Sequence, residues 1–319
     1  MRVLLAGASG AIGTPLTRQL IAAGHQVVGI SRSPANAQRL RDAGAEAVVA
    51  DVMDRESLLT AVRGMQADAV LHELTALGTT KMRQAVRDTN ALRTTGTAHL
   101  LAAARAIGAH RFLTQSIVLG YGYRDHGPRV LTEDDPFAEP VSGGYLADAV
   151  AAIRATEEQV FSADEMEGIA LRYGAFYGQD KGTRVIINLV RKRRLPAPSS
   201  GGGFVNFIYL EDAAAATVAA LEKGRAGQAY NIVDDEPVCW ADYLDALAAE
   251  IGVRRPWRVP TWMLRAIPPL HAIISTSMRV SNAKARRELG WAPAVSSYRE
   301  GIPLVVKTNR GTRTDQSLE

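Results

Sequence analysis

Cysteine is almost absent from this sequence, and its absence excludes two kinds of site. The chain of 319 residues contains one cysteine, Cys239, so it has no internal disulfide and no metal site built from several cysteines. No two of the six histidines have a spacing typical of metal ligands. We therefore expect no metal centre.

Long apolar runs and a strong charge of one sign are also lacking. No uncharged apolar run reaches about 18 residues, and the opening MRVLLAGASG is interrupted by glycines too early for a signal peptide. The net charge is +4, which is modest for this length. We expect a cytoplasmic protein that acts on a small molecule and has no nucleic-acid or membrane partner.

Two groups of residues permit more than one interpretation. The basic run Arg191–Arg194 is typical of a solvated helix end, and the alternative is a site for an anionic substrate. The four tryptophans belong to the core of the C-terminal part or build an apolar substrate pocket there. These tryptophans are Trp240, Trp257, Trp262 and Trp291.

Apolar runs and helical periods alternate through the first two thirds of the chain. The runs predict strands over residues 2–7, 26–31, 46–51, 68–74, 111–116 and 168–178. This alternation predicts an α/β fold with a doubly wound parallel sheet of the Rossmann type. Because right-handed crossovers bring the carboxyl ends of the strands to one edge, ligands should bind at that edge.

The regular alternation weakens after Gly178, where loops rich in proline, serine and glycine begin. We expect a Rossmann domain over residues 1–177, to which 204–235 return. A smaller, discontinuous substrate lobe is expected from 178–203 and 236–305. The polar end of the chain, 306–319, is expected to be a flexible tail.

The segment GASGAIG places Gly7, Gly10 and Gly13 directly after the first strand and before a helix. The first glycine permits the tight turn, the second lets the backbone approach a pyrophosphate, and the third lets the helix pack closely on the strand. Amide groups at the helix start then face the phosphate. This context predicts a dinucleotide site.

The end of the second strand distinguishes NADP from NAD. An acidic residue there would bind the adenosine ribose and repel a 2′-phosphate, but the sequence has Ser31, Arg32 and Ser33. A guanidinium offers two parallel donors to a phosphate, and the serines add hydroxyl groups. We therefore expect NADPH, and the alternative for Arg32 is an ordinary surface arginine.

The ends of later strands complete the predicted cofactor site. Asp51 and Val52 would line the adenine, and 74–76 would run beneath the ribose. The predicted cofactor-binding residues are Gly7, Ser9, Gly10, Ala11, Ile12, Gly13, Ser31, Arg32, Ser33, Asp51, Val52, Leu74, Thr75, Ala76, Tyr173, Gly174 and Phe176.

These motifs, with RYGAFYG at 172–178, YLEDAAAATVAALEKG at 209–224 and SNAKARRELGWAP at 281–293, resemble the extended short-chain dehydrogenase/reductase family. That family contains nucleotide-sugar epimerases, dehydratases and ketoreductases. The resemblance covers nearly the whole chain and implies the doubly wound fold and the C-terminal substrate lobe. It also implies a monomer or a homodimer.

The catalytic positions of that family do not match. Counted back from Tyr121, the position of the family's serine is occupied by Ile117, and Ser116 lies one residue earlier. In GGYLADAVAAI, Tyr145 is followed four residues later by Ala149, where the resemblance implies a lysine. The pattern is similar to atypical members that lack the triad, some of which are polyketide ketoreductases.

One other tyrosine has a lysine four residues later. Tyr177 and Lys181 have the required spacing, but Gly178 and their place just beyond the sixth strand indicate a loop. We interpret this pair as a coincidence.

A missing lysine changes which reactions are favourable. A neighbouring ammonium would lower the pKa of the tyrosine, and without it the tyrosine is a poor proton donor and a poor base at neutral pH. This disfavours oxidation of a sugar hydroxyl, with which epimerases and dehydratases begin, more than it disfavours reduction of a carbonyl.

The leading hypothesis is an NADPH-dependent reductase of a carbonyl on a bulky aromatic or polyketide-like molecule. Ser116 or Gln115 would bind the carbonyl oxygen, Tyr145 is the remaining catalytic candidate, and a phenol of the substrate would give the proton. The second hypothesis is a nucleotide-sugar epimerase or dehydratase whose diphosphate binds Arg191–Arg194. The third is a non-catalytic protein that senses NADP.

Overall fold

The computed structural model describes residues 1–76, 82–140, 144–266 and 268–315. Its strands are β1 (Arg2–Ala6), β2 (Gln26–Ser31), β3 (Glu46–Val49), β4 (Ala69–His72), β5 (Arg111–Ile117), β6 (Asp125–Leu131), β7 (Glu167–Tyr173), β8 (Ala175–Tyr177), β9 (Ala197–Pro198), β10 (Phe204–Val205), β11 (Phe207–Tyr209), β12 (Gln228–Ile232), β13 (Val238–Cys239), β14 (Arg258–Val259) and β15 (Ser277–Val280).

Helices connect and cover these strands. They are α1 (Gly13–Ala22), α2 (Pro34–Asp42), α3 (Arg55–Ala61), α4 (Met82–Ala91), α5 (Thr97–Ala106), α6 (Gly144–Phe161), α7 (Lys181–Arg191), α8 (Leu210–Lys223), α9 (Trp240–Ile251), α10 (Pro268–Ser275), α11 (Ala283–Leu289) and α12 (Tyr298–Asp315). A π-helical turn, Leu92–Gly96, joins α4 to α5, and 3₁₀ turns lie at Val118–Tyr121 and Thr261–Ala266. No described helix is both long enough and apolar enough to cross a membrane.

Seven parallel strands form the central sheet in the order β12-β7-β5-β4-β1-β2-β3. Side chains alternate between two cores. Leu5 and Leu113 belong to a core that includes Leu16 of α1, whereas Leu4 and Phe112 belong to a core on the other face. The strand order reverses at β1, so the cleft beyond the carboxyl ends of β1 and β4 is where a ligand should bind. The predicted doubly wound fold is confirmed.

Two features of the sheet differ from the sequence prediction. The segment predicted as one strand over 168–178 is divided at Gly174, whose backbone comes so close to Asn206 that a Cβ there would lie 2.7 Å from the Asn206 carbonyl oxygen. After this close approach β8 leaves the sheet and pairs with β11. The seventh strand, β12, was not predicted as a strand, although it lies in the segment expected to return to the Rossmann domain.

A third core joins α7, α9 and α12 in the C-terminal part of the chain. The rings of Phe207 and Tyr243 stack there with their centroids 4.2 Å apart. Helix α12 extends to Asp315, and Val306 is buried against this core. The segment expected to be a flexible tail is therefore helical over its first ten residues.

Candidate active site

Two glycines of the loop after β1 are required by close contacts of the backbone. Gly7 has a φ of +97°, and a Cβ on it would lie 2.6 Å from the carbonyl oxygen of Glu73. A Cβ on Gly13 would lie only 2.0 Å from the carbonyl oxygen of Gly7. The first contact joins the loop to the end of β4, and the second holds the start of α1 against the loop.

The loop presents backbone rather than side chains to the cleft. Ser9, Gly10 and Ala11 are exposed, whereas Ile12 is buried. Helix α1 begins without a side-chain cap, so amide groups of its first turn lack a partner from a capping side chain. Exposed backbone followed by an uncapped helix start suits the pyrophosphate of a dinucleotide.

The three predicted phosphate ligands at the end of β2 differ in exposure: Ser31 is buried, Ser33 is half-buried and Arg32 is exposed. The hydroxyl of Ser31 donates to the Ser33 carbonyl at 3.1 Å and accepts from the Ser33 amide at 3.2 Å. The Ser33 hydroxyl caps α2 by accepting from the Asn36 amide at 3.4 Å. Arg32 is exposed. The serines therefore shape the turn, and Arg32 is the group available to a 2′-phosphate.

Hydrogen bonds of the residues after β3 fix the turn that follows this strand. Asp51 accepts from the Met53 amide at 2.9 Å. Val52 is buried, and its carbonyl lies 2.8 Å from the ring of His99. These contacts fix the backbone at the predicted adenine side of the cleft.

The segment after β4 is fixed from two sides. The amide of Leu74 donates to Nδ1 of His72 at 3.3 Å, and the carbonyl of Leu74 accepts from the side chain of Gln115. Thr75 is exposed, and the Ala76 amide donates to Thr89 at 3.0 Å. Gln115, predicted to bind a substrate oxygen, therefore uses its amide group to position Leu74.

Burial keeps His72 neutral. It lowers the pKa of His72 to about 4, and the neighbouring Arg93 acts in the same direction. Because Nδ1 accepts from Leu74, Nε2 carries the hydrogen and donates to the Leu92 carbonyl at 3.2 Å. His72 thus joins the segment after β4 to the π-helical turn.

The end of β5 contains the other predicted oxygen ligand. Ser116 is 2 % exposed, and its hydroxyl has no hydrogen-bond partner among the described residues. Ile117, at the family's serine position, is half-buried and packs against a small apolar cluster that includes Val150 and Ile153 of α6. The outermost side chain of β5 is therefore apolar.

The first turn of α6 contains Tyr145, whose side chain lies outside the described part of the structure. Ala149 is buried, with 5 % of its surface exposed. Tyr177, the other tyrosine with a lysine four residues later, is buried in the third core and donates to the Ser297 carbonyl at 3.4 Å. Its burial agrees with the interpretation of that pair as a coincidence.

Three predicted cofactor residues lie at the end of β7. Gly174 is buried and Phe176 is half-buried. Tyr173 is buried, and its hydroxyl lies 2.7 Å from the Thr217 hydroxyl and donates to Glu73 at 3.1 Å. Burial raises the pKa of Glu73 to about 8, so this carboxyl is largely protonated at neutral pH. The phenol of Tyr173 therefore contacts buried protein groups.

A family comparison agrees with this geometry. A model of the NAD dependent epimerase/dehydratase family matches residues 3–233. The chain belongs to this family. A relative from Streptomyces sp., named 3-diazoavenalumate denitrifying reductase, is 38% identical over 317 residues, which cover 95% of this chain and 99% of the relative. A 2-alkyl-3-oxoalkanoate reductase from Stenotrophomonas maltophilia (strain K279a) is 28% identical over 333 residues, with coverage of 95% and 97%.

Solved structures share the fold. dTDP-glucose 4,6-dehydratase (DesIV) from Streptomyces venezuelae, with NAD and TYD bound, superimposes with a TM-score of 0.80 at 21% identity, and 98% of each chain is covered. That identity is low enough for the likeness to concern the fold alone. With the family assignment and the two relatives named as reductases, the protein is an NAD(P)-dependent oxidoreductase of the epimerase/dehydratase family.

Tyr121 lies in the 3₁₀ turn after β5 and also carries a phenol hydroxyl near the cleft. Its hydroxyl lies 2.9 Å from both the Thr132 carbonyl and the Asn231 side chain, and it accepts from Arg172 at 3.2 Å. Burial raises the pKa of Tyr121. Like Tyr173, it is therefore fully engaged inside the protein.

Sequence reasoning missed Arg93, which lies in the π-helical turn between α4 and α5. Arg93 is 8 % exposed, and burial lowers the pKa of its guanidinium, while Tyr123 acts in the opposite direction. Tyr123 packs beside Ile117. No spacing in the sequence identifies Arg93, because the π-helical turn that orients it is a property of the folded chain.

The basic run and the tryptophans do not form one pocket. Lys192, Arg193 and Arg194 are exposed after α7, and the guanidinium of Arg193 lies 5.2 Å from the ring centroid of Trp257. Trp257 and Trp262 are 61 % and 66 % exposed. Of the other two, Trp240 is half-buried, and Trp291 is buried and donates to the Asp212 carbonyl at 3.1 Å.

A cavity of about 600 Å³ lies between β6 and later segments of the chain. It is lined partly by the glycine-rich stretch 202–204 and by Arg279. Arg279 donates to the Gly127 carbonyl at 2.7 Å and stacks over Phe204, 3.7 Å from its ring centroid. No sequence pattern indicates this cavity, because its walls are distant along the chain.

Proposed function

We propose that this protein is an NADPH-dependent reductase of a bulky aromatic or polyketide-like small molecule, and that no tuned side chain acts as the acid. The observation that carries this proposal is the apolar character of the two positions that define the family's chemistry. Ile117 packs at the serine position, and Ala149 is buried at the lysine position. A site that lacks both groups suits a reduction that needs neither.

The same proposal assigns parts of the chain to the cofactor and to the substrate. NADPH, which supplies the hydride when bound, would be held by the loop Gly7–Gly13, by Arg32 and by residues 74–76. Segments 178–203 and 236–305 would form the substrate lobe over the Rossmann domain of 1–177 and 204–235. The cavity beside Arg279 is lined largely by residues of this proposed lobe, and its lining does not include Ser116, Ile117 or Arg93.

A ketone beside a phenol is the first substrate class that fits. Reduction forms one C–H bond and one O–H bond, so the hydride must be matched by a proton. The neighbouring phenol of the substrate gives this proton and then regains one from water. The relative named 2-alkyl-3-oxoalkanoate reductase supports a keto substrate. Ser116, if a small shift exposes its unpartnered hydroxyl, would orient the oxygen.

A diazo-bearing aromatic molecule is the second class, and the absence of an acid favours it. When hydrogen replaces a diazonium group, a C–H bond forms and the C–N bond breaks. Both electrons of that bond leave with N₂, and no proton is required. The relative named 3-diazoavenalumate denitrifying reductase, at 38% identity, supports this class. The names of both relatives denote carboxylates, so we propose that the substrate carries one.

The other two hypotheses have less support. An epimerase or dehydratase begins by removing hydride and a proton from a sugar hydroxyl, which needs a base. Tyr121 and Tyr173 have raised pKa values because they are buried, and this makes them poor bases. The basic run expected to bind a diphosphate stacks in part on Trp257.

Turnover assays test the proposal. The purified protein is mixed with NADPH or NADH and with 2′-hydroxyacetophenone, its O-methyl ether, an aryl diazonium carboxylate, or dTDP-glucose. We expect NADPH oxidation with the diazonium salt or the hydroxyketone above the rate without protein. With 4-deuterated NADPH, deuterium should appear at the reacting carbon. Turnover of dTDP-glucose alone would contradict a reductase, and equal turnover of the ketone and its ether would contradict substrate assistance.

A further inference from the structure

Arg93 is a buried cation for which the described residues supply no carboxylate partner. It is 92 % removed from solvent, and its Nε atom has no hydrogen-bond partner among the described residues. The groups whose charges interact with it are His72, which is neutral, and Tyr123. No carboxylate is among them.

Two segments outside the described residues contain no acidic residue. Residues 77–81 read LGTTK and residues 141–143 read VSG, so neither segment contains Asp or Glu. A buried guanidinium normally has a carboxylate partner because desolvation of an unpaired charge costs several kcal/mol. In this same protein Arg172 shows the usual arrangement, with Glu157 bound at 2.8 and 3.0 Å.

Arg93 lies against α6, the helix whose first two turns contain the reaction-end positions 145 and 149. The Arg93 carbonyl accepts from the Thr156 hydroxyl of α6 at 2.9 Å. Ala152 and Ala149 lie four and seven residues before Thr156, and therefore on the same face of α6. Both alanines are buried.

The direction of the Arg93 side chain supports a position at the reaction end of the cleft. Side chains of a helix lean toward its N-terminus, which for the turn Leu92–Gly96 is the carboxyl edge of the sheet. His72 ends β4, and Tyr123 follows the 3₁₀ turn after β5, so the two groups that interact with the guanidinium both lie at that edge.

We propose that Arg93 is the anion-binding residue of the active site and that its ligand is the carboxylate of an aromatic acid substrate. This inference rests on the proposed function, because it assigns a residue to the carboxylate proposed there. A guanidinium binds a carboxylate with two parallel hydrogen bonds, which would both orient the substrate and neutralise the buried charge. In the free protein the unpaired charge lowers stability, which is common at binding sites.

Binding measurements on the full chain test this inference without turnover. The NADPH-loaded protein is titrated with acetate, benzoate and cinnamate, and with the matching amides, by calorimetry. We expect benzoate or cinnamate to bind at least about tenfold more tightly than its amide. Arg93→Met should remove that preference, and Arg93→Lys should keep part of it. Arg63→Met, at an exposed arginine after α3, is the matched control and should bind as the wild type does.

Thermal unfolding of the ligand-free variants provides the second measurement. Arg93→Met should unfold at a higher temperature than the wild type, because it removes an unpaired buried charge. A lower unfolding temperature for both Arg93→Met and Arg93→Lys would show a structural role and overturn the proposal. Equal binding of acids and amides by the wild type would also overturn the proposal. The proposal would be overturned as well if the main effect of Arg93→Met were weaker binding of NADPH. Carboxylate binding without any reductase turnover would contradict only the proposed function.

Discussion

The two ends of the cleft differ in what they present to a ligand. At the proposed cofactor end, the loop after β1 presents backbone, and a Cβ on Gly13 or Gly7 would lie 2.0 or 2.6 Å from a carbonyl oxygen, so only glycine fits at these positions. At the proposed reaction end, the family's serine and lysine positions hold Ile117 and Ala149. A loop that recognises a ligand through backbone depends on its glycines, whereas chemistry that depends on side chains changes with a few substitutions in an unchanged fold.

Replacing Gly13 with alanine tests the cofactor end of the cleft. Of the variants considered, it should have the largest effect on ligand affinity. The new Cβ would lie 2.0 Å from the Gly7 carbonyl oxygen, so the loop or α1 must move. We expect NADPH affinity to fall by about a thousandfold, or ~4 kcal/mol. Calorimetric titration measures this loss. Gly24→Ala, at a glycine with no atom within 4 Å of its Cβ, is the control, and its φ of +83° should lower only stability.

The pH dependence of stability tests the buried carboxyl beneath the loop. The pKa of Glu73 is about 8 in the folded protein and about 4.5 in the unfolded chain. The folded state therefore holds a proton that the unfolded state releases, and stability falls as pH rises from about 5 to 8, by up to about 1.4 kcal/mol per pH unit. Glu73→Gln should remove this slope.

Chemical denaturation at several pH values gives the measurement. The pKa of His72 is lowered, so its contribution is lost in the opposite direction, as pH falls from about 6.5 toward 4. His72 is present in both the wild type and Glu73→Gln, so it does not affect the difference between their free energies of unfolding. Parallel curves for the wild type and Glu73→Gln between pH 5 and 8 would contradict a raised pKa for Glu73.

Restoring the family's lysine tests the reaction end of the cleft, where this chain departs from the family's side chains. Ala149 is 5 % exposed, so Ala149→Lys would bury a cation. We expect a loss of about 3 kcal/mol in stability and no gain in turnover. Ala149→Met, similar in length but neutral, should cost less. A lysine variant that is stable and more active would show that the site retains the usual chemistry.

Reversing the charge at Arg32 tests cofactor choice. A guanidinium bound to the 2′-phosphate contributes roughly 1.5–3 kcal/mol, or about ten- to a hundredfold in affinity. Arg32→Glu should therefore reverse or abolish the preference for NADPH, as measured by dissociation constants for both cofactors. Equal constants for NADPH and NADH in the unmodified protein would make this prediction wrong. Arg39→Glu, on the exposed surface of α2, is the charge-matched control.

The smallest effect is expected at Tyr145. Without a lysine at position 149 the phenol is not tuned as an acid, so Tyr145→Phe should slow turnover by about tenfold at most. Steady-state rates across pH measure this. A loss beyond about a thousandfold would identify Tyr145 as the acid and would place the reaction end closer to the usual family chemistry.

The strands and the glycine loop were predictable because their signals are local. Apolar runs mark buried parallel strands, and six of the seven central strands followed from them. Gly7, Gly10 and Gly13 were predicted as a dinucleotide loop from spacing alone, because the turn they form spans only seven residues. Arg32 was predicted as a phosphate ligand from its place at the end of β2. Both assignments stay predictions.

The uses of individual polar side chains were less predictable. Gln115 and Ser116 were both expected to bind a substrate oxygen, yet Gln115 binds the carbonyl of Leu74, which lies 41 residues away in the chain. Ser31 and Ser33 were expected as phosphate ligands, but their hydroxyls bond within the turn. A hydrogen bond of this kind depends on distances of a few tenths of an ångström, which composition and spacing do not fix.

The sequence by itself determined the fold class, the glycine-rich loop after β1 and the departure from the family's serine and lysine. Each depends on residue type at fixed short spacing. Only the tertiary structure decided that Tyr121 and Tyr173 are engaged in the interior and that Arg93 is buried without a carboxylate partner among the described residues. The charge of Arg93 matters because of what surrounds it, and its surroundings come from three elements that meet only when the sheet and α6 are assembled.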